Sequence, residues 1–359
     1  SVHSSIITYP LSVHGASANG DELREMAGRA LLLTVFVGVG VSPILAGVVW
    51  ALNRTSVIPW ALFALFLWQM QETARRAFMA QQRFREVFWG DGLCYLGQAA
   101  AIWILSEAGI IDLKHAFGII AVTSLLAGGL QLKQLRPRIE NPFLLRMLMS
   151  DFWLLGRWVL MINLLNLLTI QALPWMLMFS HGAEDVAAFQ AMGNILAVAN
   201  PVIYCMGNLM LPVSAKVNAA QGVRTAWQRS RIYAAQGGVL LLPYFAALLF
   251  WPDRFLGIFY GSDSLYSGLG WPLRILVLAY ICNYLAQVVG VFLNGIREGR
   301  SAFQAQAASA LAVLLSGPPL VLWAGVVGAL SGTAIMNGVR AAFSIGFLSQ
   351  KLRCSADAR

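Results

Sequence analysis

The sequence predicts an all-α membrane protein with ten complete transmembrane helices. Three observations carry this. First, 58% of the 359 residues are hydrophobic, only 11% are charged, and the mean hydropathy is +0.67. A soluble domain carries about 25% charged residues, and disordered or collagen-like chains lack this much apolar material. Second, ten apolar runs are long enough to cross a bilayer, at roughly 20 residues per crossing. Third, basic residues cluster in alternate loops. A β-barrel is excluded, because the runs are too long and continuous for its weak alternation.

The runs fall at 28–50, 57–80, 89–109, 114–132, 151–178, 186–212, 232–250, 271–294, 303–323 and 326–348. Pro43, Pro174, Pro201, Pro318 and Pro319 lie inside them, as membrane helices tolerate. The second run ends in the charged stretch Glu72–Arg76. The third carries Asp91 near one end and Glu107 near the other, and Asp151 opens the fifth. Trp50, Trp60, Trp251 and Trp271 sit near span ends and read as interfacial belt residues.

Ten spans divide the 25 lysines and arginines 21 to 4 between the two faces. The poor face holds only Arg54, Lys114, Arg254 and Arg274. The positive-inside rule places the rich face, with the loops at 75–88, 133–149 and 216–231 and the C-terminus, in the cytoplasm. The net charge of +9 is thereby read as basic cytoplasmic loops and not as a nucleic-acid surface.

Catalytic and metal signatures are absent from the sequence. Cys94, Cys205, Cys282 and Cys354 have no C-x-x-C spacing, the four histidines form no H-E-x-x-H, and no lysine follows a glycine as a Walker A loop requires. No enzyme activity, cofactor or metal is expected.

The second half repeats features of the first. Pro10-Leu11-Ser12 with Gly20 matches Pro212-Val213-Ser214 with Gly222 at an offset of 202, and Phe78 with Arg83 matches Phe292 with Arg297 at 214. Both pairs have the same orientation, which makes the repeat parallel. It implies twelve spans in two six-helix lobes, with the first lobe short of its first span and most of its second. The expected organisation is a helix remnant at 1–12, an N-terminal lobe at 13–132, a cytoplasmic linker at 133–150, a C-terminal lobe at 151–350 and a tail at 351–359.

Local sequence narrows the family. Glu72-Thr73-Ala74-Arg75-Arg76 through Ala80-Gln81-Gln82-Arg83-Phe84-Arg85 resembles the region between the fourth and fifth helices of the polysaccharide flippases, the Wzx-like group of the MOP exporter superfamily. Phe259-Tyr260-Gly261, Leu273-Arg274-Ile275-Leu276 and Asn294-Gly295 extend the resemblance. It implies a MATE-like two-lobe fold in a bacterial inner membrane. It also implies transfer of an undecaprenyl-pyrophosphate-linked oligosaccharide, for polysaccharide or O-antigen (lipopolysaccharide) synthesis, from the inner to the outer leaflet. The partners implied are the lipid-linked oligosaccharide, membrane lipids, and a polysaccharide polymerase and chain-length proteins, with no nucleic acid.

Such a cargo needs cations for pyrophosphate and polar groups for sugar hydroxyls. Charges inside a span are costly, about 2.5–3.5 kcal/mol near the centre, and tend to face the bundle interior or water. Gln69, Glu72 and Arg76 share one helix face, with Arg75 beside it, and Glu72 is spaced to pair with either arginine. They read as a cavity-lining cluster or as an interfacial pair at the head groups. Asn163 with Asn166, Gln190 with Asn194, and Asn283 with Gln287 are uncharged pairs on three further faces. They read as a sugar path or as interhelical hydrogen bonds. Arg157 reads as a phosphate contact or a topology anchor. A MATE-type cation or drug antiporter is the rival, disfavoured by the scarcity of span acids, which are Glu72, Asp91, Glu107 and Asp151. An inactive truncated remnant or scaffold is the other.

Overall fold

A computed structural model describes residues 2–139, 145–261, 266 and 268–357. Among the described residues every regular element is a helix, and the chain divides into two compact units, Ser1–Arg157 and Trp158–Arg359.

In the first unit a π-helical turn, Ser4–Thr8, runs directly into α1 (Tyr9–Gly15). There follow α2 (Gly20–Ala51), α3 (Ile58–Ala80), α4 (Phe84–Asp91), a π segment (Gly92–Leu96), α5 (Gly97–Glu107) and α6 (Leu113–Leu135). The starts are written in the sequence. Asn19 accepts from the Glu22 backbone N–H while the Glu22 side chain accepts from the Asn19 N–H, a reciprocal cap on α2. Asp112 caps α6 by accepting from the His115 N–H at 2.8 Å. The core gathers Ile7, Leu11, Leu23, Phe78, Leu135 and Phe152, all 2% exposed or less.

α7 (Leu145–His181) begins in the first unit and leads into the second. The second unit continues with α8 (Ala183–Ala197), α9 (Asn200–Phe250), α10 (Pro252–Tyr260), α11 (Gly270–Gly295) and α12 (Gly299–Asp357). A straight 59-residue helix would be about 88 Å long, nearly three times a bilayer's hydrocarbon core. Glycine resolves the conflict. Gly325 takes φ 51°, ψ −126° and divides α12 at 299–324 and 326–357; Gly222, at φ 81°, divides α9 in the same way. Gly328 backs onto the Leu320 carbonyl, leaving no room for a Cβ, so the chain doubles back at Gly325. Leu173 of α7 packs against Gly317 and Gly332, one glycine from each half of the hairpin.

Several expectations are corrected in detail. The run at 186–212 is interrupted between α8 and α9, and the run at 232–250 begins nine residues earlier, just past Gly222. The 1–12 helix continues to Gly15. Of the expected linker at 133–150, residues 133–135 and 145–150 are helical, the Arg138 N–H donates to the Arg24 carbonyl, and 140–144 lie outside the described residues. The expected tail at 351–359 is helical to Asp357, because α12 overruns its apolar stretch, and 358–359 lie outside. At the turn following α3 the repeat register is 215, not 214. Gln82 and Arg297 both take positive φ, and each N–H bonds to the carbonyl three residues back, on Met79 and Asn294. Side-chain identity misled by one position because the shared feature is backbone conformation.

By length and composition α2, α6, α7, α9, α11 and α12 are each able to cross a membrane. Large apolar side chains such as Phe36, Trp103, Leu240 and Trp323 face outward, as lipid contact requires.

Candidate functional site

Two polar assemblies stand out, one in each unit. In the first, α3 carries the predicted cluster. The Glu72 carboxylate accepts from Arg76 Nε at 2.6 Å and from Arg75 at 3.2 Å. Arg75 Nε also donates to Asp91 on α4 at 2.7 Å. Two carboxylates thus face two guanidiniums, and the assembly is charge-balanced. Beside it the side chains of His3, Thr34 and Thr73 are joined by hydrogen bonds, His3–Thr73 at 3.0 Å and Thr34–Thr73 at 2.9 Å. Gln69 is buried, and its Oε1 has no hydrogen-bond partner among the described residues.

In the second unit two cavities of about 510 and 330 Å³ lie among α7, α8, α9, α11 and α12. The larger one is lined by Asn163, Asn166, Asn283 and Gln287, and the smaller by Asn166, Gln190, Asn194 and Asn283. All three predicted amide pairs therefore meet there. Their helix faces explain why: i, i+3, i+4 and i+7 spacings put Asn163 with Asn166, and Tyr280 with Asn283 and Gln287, on single stripes. Arg157, the last residue of the first unit, lines neither cavity.

One residue was not predicted for the site. Arg340 enters the sequence reading only as one of the 21 basic residues of the rich face, and it lines both cavities. It lies 11 residues before Lys351, roughly 16 Å along the helix. Its NH2 group donates to Gln287 at 3.0 Å and Asn283 at 3.4 Å, and NH1 to Gln306 at 3.4 Å. Asn337, Arg340 and Ser344 repeat the i, i+3, i+7 stripe, the signal that marks a cavity-facing charge. Among the described residues that line the two cavities, Arg340 is the only charged one. The sequence explains the absence of acids: none occurs in 152–183, 186–252, 264–297 or 299–356.

No family model and no curated protein matches this sequence. Solved structures do. A mutant of a MATE transporter aligns over 99% of this chain and 85% of its own, with a TM-score of 0.77 and 15% identity. An outward-facing multidrug resistance MATE family transporter of the MOP superfamily aligns over 99% and 86%, with a TM-score of 0.73 and 16% identity. An inward-facing one gives 99% and 88%, a TM-score of 0.67 and 14% identity. The fold is that of the MATE transporters. With its apolar spans, this fold supports a multi-pass membrane protein. The structures that share the MATE fold are transporters, not enzymes.

Proposed function

We propose that this chain flips a lipid-linked oligosaccharide from the inner to the outer leaflet of a bacterial inner membrane. The cargo is an undecaprenyl-pyrophosphate glycolipid used in polysaccharide or O-antigen assembly, moved by alternating access. Ten spans with the C-terminus in the cytoplasm complete the reading. The observation that carries it is the lining of the second-unit cavities: an array of amides, one guanidinium and no carboxylate. Amides donate to and accept from sugar hydroxyls, and a lone cation complements an anionic cargo.

The test is transbilayer movement in vesicles holding the purified chain and a fluorescent polyprenyl-pyrophosphoryl oligosaccharide. Protein-dependent exposure of the label to an external quencher is expected; no movement above protein-free vesicles refutes the reading. The second reading, cation or drug antiport, draws on the multidrug resistance transporters that share the fold. It requires sodium- or proton-driven uptake of a cationic dye in the same vesicles.

A further inference from the structure

We propose that Arg340 and the amides around it form an oxyanion site, which takes a carboxylate or phosphate group of the transported molecule. The identity of that molecule rests on the function proposed above; the site itself rests on geometry.

Arg340 has only donors to offer, so the amide groups it bonds must turn their oxygens toward it. Asn283 Oδ1, Gln287 Oε1 and Gln306 Oε1 are thereby occupied. Their NH2 groups point away from the guanidinium. Among the described residues, Arg340 keeps its Nε–H and one NH1 hydrogen without a partner. The result is a fixed positive charge with donors of its own left over, among amides whose NH2 groups are not used by it, which is the chemistry an oxyanion needs.

Strength supports the same conclusion. Hydrogen bonds from guanidinium to a carboxylate run about 2.7–2.9 Å, whereas those of Arg340 to neutral amides are 3.0–3.4 Å. The protein therefore leaves the charge under-compensated within its own cavities. An incoming oxyanion forms shorter, charge-assisted bonds than the amides do. Position adds selectivity: Arg340, Asn166, Tyr280 and Asn283 line both cavities, so the site stands where the two chambers meet. The rival account is a structural staple, in which Arg340 only ties α11 to the two halves of α12.

The experiment titrates the purified full chain with sodium glucuronate, inorganic pyrophosphate, glucose and tetraphenylphosphonium, in wild type, R340Q and R340K, with a thermal melt of each. At least one of the two anions should bind wild type, and R340Q should weaken it about tenfold or more, as expected for losing a charged hydrogen-bond partner. R340K should fall between, keeping the charge without the planar fork. Glucuronate binding assigns the oxyanion to the saccharide, and pyrophosphate binding to the lipid carrier; either supports the site. Binding of neither anion, or equal binding by R340Q, overturns it. If R340Q melts far below wild type, R340K decides: unchanged anion affinity leaves the staple alone standing. Arg340-dependent anion binding without glycolipid movement in vesicles would retain the site and sink the flippase.

Discussion

Replacing Glu72 with Gln should destabilise the first unit more than removing either arginine beside it. Glu72 is the hub: its carboxylate holds Arg76 and Arg75, and its side chain is only 9% exposed. Gln keeps the shape and deletes the charge, leaving Arg76 without its carboxylate. Arg75 is held in part, because Asp91 remains bonded at 2.7 Å. Stripping one partner from a fully buried pair costs about 3–5 kcal/mol. With Asp91 compensating and both arginines partly exposed, the expected loss is about 2–3 kcal/mol. For a unit of this size that is roughly a 5–10 °C fall in melting temperature. Arg76→Gln should cost less, about 1 kcal/mol, because Glu72 keeps Arg75. A double-mutant cycle in detergent, read by thermal melting of the full chain, measures the coupling directly. Equal melting of Glu72→Gln and wild type, with no coupling to Arg76, would show that the cluster is not a latch between α3 and α4.

Other outcomes follow from local geometry. Gly295→Ala should destabilise by several kcal/mol, since its Cβ would overlap Ser214 Oγ and sit 3.0 Å from the Leu211 carbonyl; a melting temperature unchanged from wild type would contradict the packing. Gln82→Gly should raise stability by about 0.5–1 kcal/mol, because Gln82 holds positive φ, at 60°. At the α6 cap, the bond from the His115 N–H holds the Asp112 carboxyl below its ordinary range. A depressed folded-state pKa stabilises the cap at neutral pH and withdraws that support as the solution is acidified through it. The protection of the His115 amide, its exchange rate compared with the intrinsic rate at the same pH, should therefore fall in acid, and Asp112→Asn should remove that dependence. For topology, cysteines placed at 184 and 218 should react with an impermeant reagent from opposite sides of the membrane; same-side labelling would break the charge assignment.

Much of the fold is legible in the sequence because apolar length and turn chemistry are local. The α2 start at Asn19 and Glu22 and the α6 start at Asp112 are readable directly. The interruption between α8 and α9 is not, since residues 197–200 remain apolar apart from Asn200 and hydropathy does not register a missing hydrogen bond. The site divides along similar lines. Three amide pairs were found by helical spacing, and the structure gathers all of them around the same two cavities. Arg340 was lost to a counting rule that scores charge by side of the membrane and ignores depth within a run. Arg75 and Arg76 illustrate the reverse. Their spacing to Glu72 was evident, but the compensating bond to Asp91 joins residues 16 apart in the chain, beyond any helical repeat.

The unbalanced guanidinium also bears on how an energised membrane stays sealed. A transporter that opens a wet chamber to each side in turn risks carrying protons or sodium down their gradients. A monovalent cation 5 Å from Arg340 would be repelled by about 3 kcal/mol at an effective dielectric of about 20. That lowers its occupancy roughly two hundred-fold. If the proposed site holds, the charge that receives an anion would also insulate the second-unit cavities against cation leak and so protect the ion gradients across the bilayer.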